Sequence, residues 1–229
     1  MSPQLSASLK RDGFFVVDGV LDEDAVGGLA DASQRLVAGG SGYGIRNLFT
    51  RLPKLRGLIQ SRQIRELIDP LLGESAQAVR GILFDKTANA NWKVAWHQDL
   101  SIPVRERKDV NGFGPWSTKD GVVHVQPPRA ILERMLTVRI HLDDCDESNG
   151  PLRVLPGSHA QGVLSPAEVE MWRGAVEPVN CCVRRGGAVL MRPLLLHASS
   201  SAQLPGHRRV IHVEFAAAKL PGGLEWAIA

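Results

Sequence analysis

The sequence has few cysteines, no long apolar run and no large excess of charge. Three cysteines, two of them adjacent at Cys181 and Cys182, do not form a disulfide framework, and 229 residues can bury a core without one. No stretch approaches the roughly 20 apolar residues of a membrane-spanning helix. The first residues also lack the apolar run of a secretory signal. We therefore expect a reduced, cytoplasmic protein without a membrane partner.

Nucleic acid is also an unexpected partner. The formal charge of +3 is small, and no basic stripe is interleaved with aromatic residues. The densest basic stretch, residues 51–65, is more typical of a solvated helix face than of an anion-binding patch. These features favour a small molecule as the ligand.

Helical and strand-like segments occupy different parts of the chain. Residues 13–18 predict a short strand, a helix follows from Asp22 to about Ala38 and ends at Gly39-Gly40, and a second helix covers 63–72. After residue 78, short β-like runs alternate with Gly, Pro and Asn turns, a pattern typical of a sandwich or barrel. The runs are 79–84, 93–96, 135–142, 152–155, 179–183, 188–190 and 209–215. We predict one mainly β domain over 1–229, with flanking helices (α+β).

Residues 101–130 interrupt this pattern with a long segment rich in Gly and Pro. Loops of this length in compact domains are usually functional or disordered. The sequence therefore predicts a long loop and a candidate active-site lid.

The run that includes Trp96 is closed by His97-Gln98-Asp99. Because side chains alternate along a strand, the imidazole of His97 and the carboxylate of Asp99 leave on the same face. Two histidines and one carboxylate on one face of an octahedral metal ion leave other coordination positions open. A His-x-Asp pair is common by chance, so it needs a third donor before it predicts a metal site.

Two further features have ordinary explanations when taken alone. His197 ends the apolar run 194–196, where a histidine is usually a hydrogen-bonded core residue. Arg208 and Arg209 begin a strand, and an arginine there can hold a carboxylate with both arms of its guanidinium. Strand alternation puts these two arginines on opposite faces and does not select the inward one.

Together these motifs resemble the phytanoyl-CoA dioxygenase family over nearly the whole chain. The segment 12–21, DGFFVVDGVL, resembles the family's first strand and helix entry, and Trp96-His-Gln-Asp99 resembles its first metal motif. Residues 143–159, DDCDESNGPLRVLPGSH, match its most recognisable stretch. His197-Ala-Ser199, followed eleven residues after the histidine by Arg208, matches its distal ligand and co-substrate arginine.

The resemblance implies a double-stranded β-helix (a cupin-like jelly roll), with helices on one sheet and Fe(II) inside one open end. It implies that His97, Asp99 and His197 bind Fe(II), that 2-oxoglutarate chelates the metal, and that Arg208 and Ser199 hold its far carboxylate. Gln98 and Lys86 lie where family members also approach the co-substrate. The implied activity is a dioxygenase that uses O2, most typically a hydroxylase. Asp99 disfavours halogenation, whereas desaturation and ring closure stay open.

Arg139 departs from the family, because some relatives carry a tryptophan there. A buried arginine needs an anion. That anion is 2-oxoglutarate, a carboxylate of the prime substrate, or an acid such as Asp143. Arg46 is either a substrate contact or a solvated loop residue.

The substrate site is less defined than the metal site. Trp116, Phe113 and Trp92 are candidate apolar walls, and Arg139, Arg46 or Lys119 is a candidate anion contact. These residues predict a small acid or a carrier-linked acyl group. Two other functions stay open: a non-catalytic jelly-roll protein that binds a metabolite, and a cupin-like metal-dependent isomerase or hydrolase.

Overall fold

The computed structural model describes residues 3–38 and 44–228 of the chain. The predicted helix end at Gly39-Gly40 lies outside these residues. The strands are β1 Phe14–Val17, β2 Gln77–Lys86, β3 Val94–His97, β4 Ile102–Val104, β5 Trp116–Lys119, β6 Val122–Val125, β7 Met135–His141, β8 Leu152–Val154, β9 Val179–Cys181, β10 Ala188–Met191, β11 His197–Ser199 and β12 Arg208–Ala216. The helices are α1 Pro3–Arg11, α2 Glu23–Ala38, α3 Leu48–Arg51, α4 Lys54–Ile59, α5 Arg62–Leu72, α6 Arg129–Leu132 and α7 Pro166–Ala175.

Two antiparallel sheets form the jelly roll. The larger has the strand order β1-β10-β7-β12-β2, and the smaller has the order β3-β11-β8-β9. Their facing apolar side chains make one buried cluster, in which Leu152 and Val154 of the smaller sheet join Val189 and Met191 of the larger. All seven β-like runs predicted after residue 78 correspond to strands, and the predicted jelly-roll class is confirmed.

Strand β12 shows how the larger sheet separates the core from the site. Ile211, Val213 and Phe215 point outward into the main apolar cluster, which they share with the helices. The alternate residues point inward, and Arg208 and His212 among them line a central cavity. The period of two along a strand therefore gives the sheet one apolar face and one polar face.

Helices α1 to α5 supply side chains to the apolar cluster on the outer face of the larger sheet. The predicted helices 22–38 and 63–72 are confirmed as α2 and α5. Sequence reasoning missed α1, which buries Leu5 and Leu9, one helical turn apart. It also missed α7, whose start carries a capping box formed by Ser165 and Glu168. Both helices had a signal that was not used.

The prediction that 101–130 is a long loop was wrong. This segment contains a separate three-stranded sheet of order β4-β6-β5. Ile102, Val104 and Val125 are fully buried in a second apolar cluster with Leu132 and Trp226. The Gly and Pro content of the segment obscured three short strands that are held by packing.

Two of the absences noted in the sequence have structural counterparts. All three cysteines are free, with Cys145 and Cys181 buried and Cys182 exposed. Among the described residues, none of the helices has both the length and the apolar character that crossing a bilayer requires.

Candidate active site

Pairing of β3 with β11 brings the predicted metal ligands together. His97 at the end of β3 lies opposite His197 at the start of β11, and the two ring centroids are 4.1 Å apart. Asp99 follows two residues after His97, where its backbone N–H donates to the carbonyl of Pro193 at 2.9 Å. One donor atom from each of the three side chains lies within 4.8 Å of the other two.

Both histidines present a free Nε2 atom to this point. Nδ1 of His97 is 2.8 Å from the carbonyl of Ala95, and Nδ1 of His197 is 2.9 Å from the carbonyl of Leu195. A carbonyl can only accept, so each Nδ1 carries a proton, and in the neutral form of each ring the lone pair is on Nε2. Burial also lowers the pKa of His197 to about 3, which keeps that ring neutral. This is the protonation state that metal binding requires.

Asp99 completes the set with a carboxylate. Its Oδ2 is 3.7 Å from Nε2 of His197, and its Oδ1 is 3.9 Å from Nε2 of His97. Burial by itself would raise the pKa of Asp99, but the opposing influence of His197, His212 and Arg80 holds the pKa well below its usual range. Within the described chain, Oδ2 is buried without a hydrogen-bond partner. A buried ionised oxygen without a partner is costly, and a metal ion would supply the missing interaction.

A second cluster also includes Asp99, together with His212 and Glu214. There Nδ1 of His212 accepts a hydrogen bond from Arg139 at 2.9 Å, and Nε2 donates to Glu214 at 3.2 Å. Glu214 also forms a buried ion pair with Arg80. Both ring nitrogens of His212 and Oε1 of Glu214 are already used in these contacts, so this cluster does not fit a metal ion. The triad of His97, Asp99 and His197 does, and it matches the ligand type of non-haem Fe(II).

Gln98 lies between two of the triad residues but is occupied elsewhere. Its amide nitrogen donates to the carbonyls of Gly162 and Leu194, at 2.7 and 2.6 Å, and its amide oxygen accepts from the N–H of Leu164 at 2.8 Å. The side chain therefore ties two backbone segments, 162–164 and the one that contains Leu194, to the residues between His97 and Asp99. Gln98 also lines the cavity, and the co-substrate contact that the resemblance implied stays a prediction.

The two adjacent arginines have opposite environments. Arg208 is 2% exposed and lines the cavity, and its Nε and Nη1 atoms are buried without a partner in the described chain. Arg209 instead grips Asp143 with Nε and Nη2, at 2.9 and 2.6 Å. Arg208 is thus the arginine that faces the site. Because Asp143 is taken by Arg209, the predicted alternative of an Arg139–Asp143 pair is wrong.

Ser199 and Arg208 both line the cavity, and Lys86 contacts Ser199 from outside the cavity wall. Nζ of Lys86 donates to Oγ of Ser199 at 3.2 Å and also to the carbonyl of Ser200. Burial, followed by the nearby charge of Arg208, lowers the pKa of Lys86 to about 8. Lys86 is therefore in contact with the site without being part of the cavity wall.

The cavity measures about 310 Å³, and its walls are only partly the predicted ones. Arg46, Arg139, Lys119 and Trp92 line it, as predicted. Phe113 and Trp116 do not; they pack against the second apolar cluster instead, because their segment folds as a sheet. The prediction that these two aromatic residues form the walls was wrong.

Several lining residues were not predicted as part of the site. One face of β2 contributes Arg80, Ile82 and Phe84, which are two residues apart along the strand. His212 lies on the same face of β12 as Arg208. The same period of two that paired His97 with Asp99 was a signal for all four. His212, which the sequence alone predicts to be structural, is one of these lining residues.

Comparisons with known proteins agree on the family. Residues 9–210 match the profile of the family described as phytanoyl-CoA dioxygenase (PhyH). The chain is 25% identical over 171 residues to peroxisomal phytanoyl-CoA dioxygenase of Mus musculus, which covers 67% of this chain and 43% of that enzyme. It is 24% identical over 181 residues to ectoine dioxygenase of Bordetella parapertussis, which covers 70% of this chain and 50% of that enzyme. The chain thus matches half or less of the length of these curated relatives.

Solved structures agree on the fold. EctD from S. alaskensis, solved with 2-oxoglutarate and 5-hydroxyectoine, has a TM-score of 0.75 at 19% identity, over 100% of this chain and 83% of that chain. SnoK, a non-heme alpha ketoglutarate dependent carbocyclase from nogalamycin biosynthesis, has a TM-score of 0.74 at 17% identity, over 95% and 85%. At these identities the likeness shows a shared jelly-roll fold.

Proposed function

The chain belongs to the phytanoyl-CoA dioxygenase family, and on that premise we propose that it is an Fe(II)- and 2-oxoglutarate-dependent dioxygenase. One observation carries the proposal. Two imidazole Nε2 atoms and the buried Oδ2 of Asp99, which has no hydrogen-bond partner among the described residues, converge on one point. Two histidines and one carboxylate are the ligands of non-haem Fe(II) oxygenases, which keep positions open for co-substrate and oxygen.

In this proposal each residue has a defined task. His97, Asp99 and His197 hold the iron, and their orientation is fixed by the backbone carbonyls that accept from the two Nδ1–H groups. Arg208 holds the far carboxylate of 2-oxoglutarate with its two unpartnered nitrogens, and Ser199 adds a hydrogen bond. When bound, the iron supplies oxygen activation coupled to the decarboxylation of 2-oxoglutarate.

The proposed reaction is hydroxylation of an unactivated C–H bond in a small metabolite that carries a carboxylate or is attached to a carrier. The cavity supports an anionic substrate, since cationic side chains outnumber the single lining carboxylate, Asp99. Asp99 itself fills the coordination position that a halide would need. We further propose that the segment 101–130, with its three-stranded sheet, serves as the active-site lid, because Lys119 of β5 and Ser101, which precedes β4, are part of the cavity wall.

Anaerobic spectroscopy tests the proposal directly. The purified protein receives Fe(II) and 2-oxoglutarate without oxygen, and the expected result is the weak visible charge-transfer band of chelated iron. His197→Ala should lose the band because it removes a ligand. His212→Asn is the matched control and should keep the band, since both nitrogens of His212 are engaged with protein groups.

Exposure to oxygen then separates enzyme from binding protein. Succinate formed with iron and 2-oxoglutarate present, even slowly and without a prime substrate, supports the proposed reaction. A wild-type protein without the band would contradict both the metal site and the co-substrate site.

A further inference from the structure

We infer that the prime substrate is a small dianion, with one negative group held by Arg139 and the other by Lys119. This inference rests on the proposed 2-oxoglutarate-dependent reaction and narrows its substrate class. It follows from a count of the charges that line the cavity and of the partners that they already have.

Among the residues that the structure describes, five cationic side chains line the cavity against one carboxylate, that of Asp99. The cations are Arg46, Arg80, Lys119, Arg139 and Arg208. Two of the five are already paired: Arg80 with the buried carboxylate of Glu214, and Arg46 with Asp120 at 3.3 Å. Within 3–38 and 44–228, no ion pair joins the other three to a carboxylate. Lys119, Arg139 and Arg208 are therefore the cations of the cavity wall that have no carboxylate partner among the described residues. Lys86 lies outside the wall and donates to the hydroxyl of Ser199 and the carbonyl of Ser200 instead.

Of these three cations, Arg139 has the strongest need for an anionic partner. It is 7% exposed, its Nη1 donates to the neutral ring of His212, and its Nε is buried without a partner among the described residues. Burial and the neighbouring Arg208 lower its pKa to about 10, so it stays charged at neutral pH. An imidazole can accept a hydrogen bond but brings no compensating charge. A buried guanidinium in this position needs an anion.

The iron and 2-oxoglutarate account for only part of the charge. Two positive charges on the iron balance Asp99 and the carboxylate of 2-oxoglutarate nearest the metal, and the far carboxylate balances Arg208. Arg139 and Lys119 are left with two positive charges between them. A prime substrate with two negative groups balances both, whereas a monoanion leaves one cation in the closed site without a partner.

Lys119, which belongs to the segment 101–130, is the second residue proposed to contact the substrate. Its Nζ donates to Oγ of Ser101 at 2.9 Å, and that hydroxyl carries no charge. Burial, followed by Arg80 and Arg46, lowers the pKa of Lys119, so its ammonium group lacks stabilisation where it lies. A carrier-linked acyl group has lost the charge of the carboxylate that forms the thioester. The need for two charges therefore favours a free acid, either a dicarboxylate or a phosphate ester, over a carrier-linked substrate.

Binding of matched anions to the protein loaded with Fe(II) and saturating 2-oxoglutarate, without oxygen, tests this inference. The probes are a series of short aliphatic dicarboxylates, each beside its own monoamide, and inorganic phosphate, at constant ionic strength. Binding is read by calorimetry and by the change in the visible band. We expect at least one dianion to bind about tenfold or more tightly than its monoanionic partner, because the latter loses a charge-assisted contact.

Two variants assign the charges to the residues. Lys119→Met and Arg139→Met should each abolish the preference for the dianion, while the affinity for 2-oxoglutarate stays close to that of the wild type. Arg139→Lys should retain part of the preference. Lys54→Met is the matched control, since Lys54 is exposed on α4, outside the cavity wall, and the preference should persist there. Circular dichroism and denaturant unfolding confirm that each variant folds.

Several results would overturn the inference while leaving the proposed reaction intact. These are equal affinity for dianions and monoamides, no binding of any probe when the band is present, or a preference that survives in Lys119→Met. If Arg139→Met weakened 2-oxoglutarate binding as much as Arg208→Met, Arg139 would belong to the co-substrate instead. Absence of the band in the wild type would overturn the inference and the proposed reaction together.

Discussion

Asp99 lies between two clusters of metal-capable side chains, His97 with His197 on one side and His212 with Glu214 on the other. The chemical types are nearly the same, and both clusters bring their donor atoms within 4.8 Å of one another. They differ in what their polar atoms already do. In the first cluster both Nε2 atoms are free of hydrogen bonds, whereas in the second both nitrogens of His212 are bonded and Glu214 is paired with Arg80.

The adjacent arginines of β12 show the same difference. Arg208 keeps two buried nitrogens without a partner in the described chain. Arg209 instead donates hydrogen bonds from its guanidinium to Asp143 and to the carbonyl of Ala30. A binding site and a structural network can thus be built from the same residue types. What separates them is whether the polar atoms still lack a partner.

The largest expected effect is on metal binding, and it tests most directly which of the two clusters that share Asp99 binds the metal. His197→Ala should leave no measurable Fe(II) binding, because a two-ligand site does not hold the ion. His212→Asn should bind nearly as wild type, since an amide can still accept from Arg139 and donate to Glu214. Anaerobic titration with Fe(II), or with Mn(II) as a redox-stable substitute, measures both. The reverse result would move the metal to the second cluster.

The next effect is on stability. Glu214→Gln should lower the free energy of unfolding by about 3–5 kcal/mol, because it leaves the buried charge of Arg80 without compensation. Denaturant unfolding measures the loss. The double variant Arg80→Met with Glu214→Leu should recover much of it by removing both charges. A fully stable Glu214→Gln protein would mean that the second cluster is not the structural network described above.

Arg208 and Arg209 extend the comparison to the co-substrate. Arg208→Ala should raise the dissociation constant of 2-oxoglutarate about thirtyfold or more, since truncating one partner of a buried charge pair costs about 2 kcal/mol or more. Arg209→Ala should leave that constant unchanged and instead destabilise the fold by about 1–3 kcal/mol, because Asp143 loses its partner. Calorimetry and unfolding together separate the two. An exchange of these phenotypes would reverse the assignment of the inward arginine.

The smallest effect concerns Gln98, whose amide is bonded to backbone groups beside the site. Gln98→Ala should weaken metal binding about tenfold, because residues that orient ligands usually contribute at that scale. The affinity of the metal-loaded protein for 2-oxoglutarate should change little. A loss of 2-oxoglutarate affinity with intact metal binding would instead return Gln98 to the co-substrate contact that the family resemblance implied.

Local patterns in the sequence were enough for much of the fold. Alternation and turn residues located seven of the strands that contain residues after 78, and the cap and periodicity located α2 and α5. The short strand β11, which carries His197, was not predicted. Prediction failed in 101–130, where the strands are three or four residues long and depend on burial against Leu132 and Trp226. Short strands carry little periodic signal, and distant packing decides whether they form. The same failure misplaced Phe113 and Trp116.

The sequence by itself determined which residues are available for chemistry. His97 and Asp99 share a face because they are two residues apart on an extended run, and the spacing from His197 to Arg208 repeats a family motif. The tertiary structure alone decided which of the candidate groups remain free. Arg209 meets Asp143 across 66 residues, and Arg139 meets His212 across 73. Hydrogen-bond partners so far apart in the chain are set by strand pairing, which no local pattern records, so the distinction between a site and a scaffold appears only in the folded molecule.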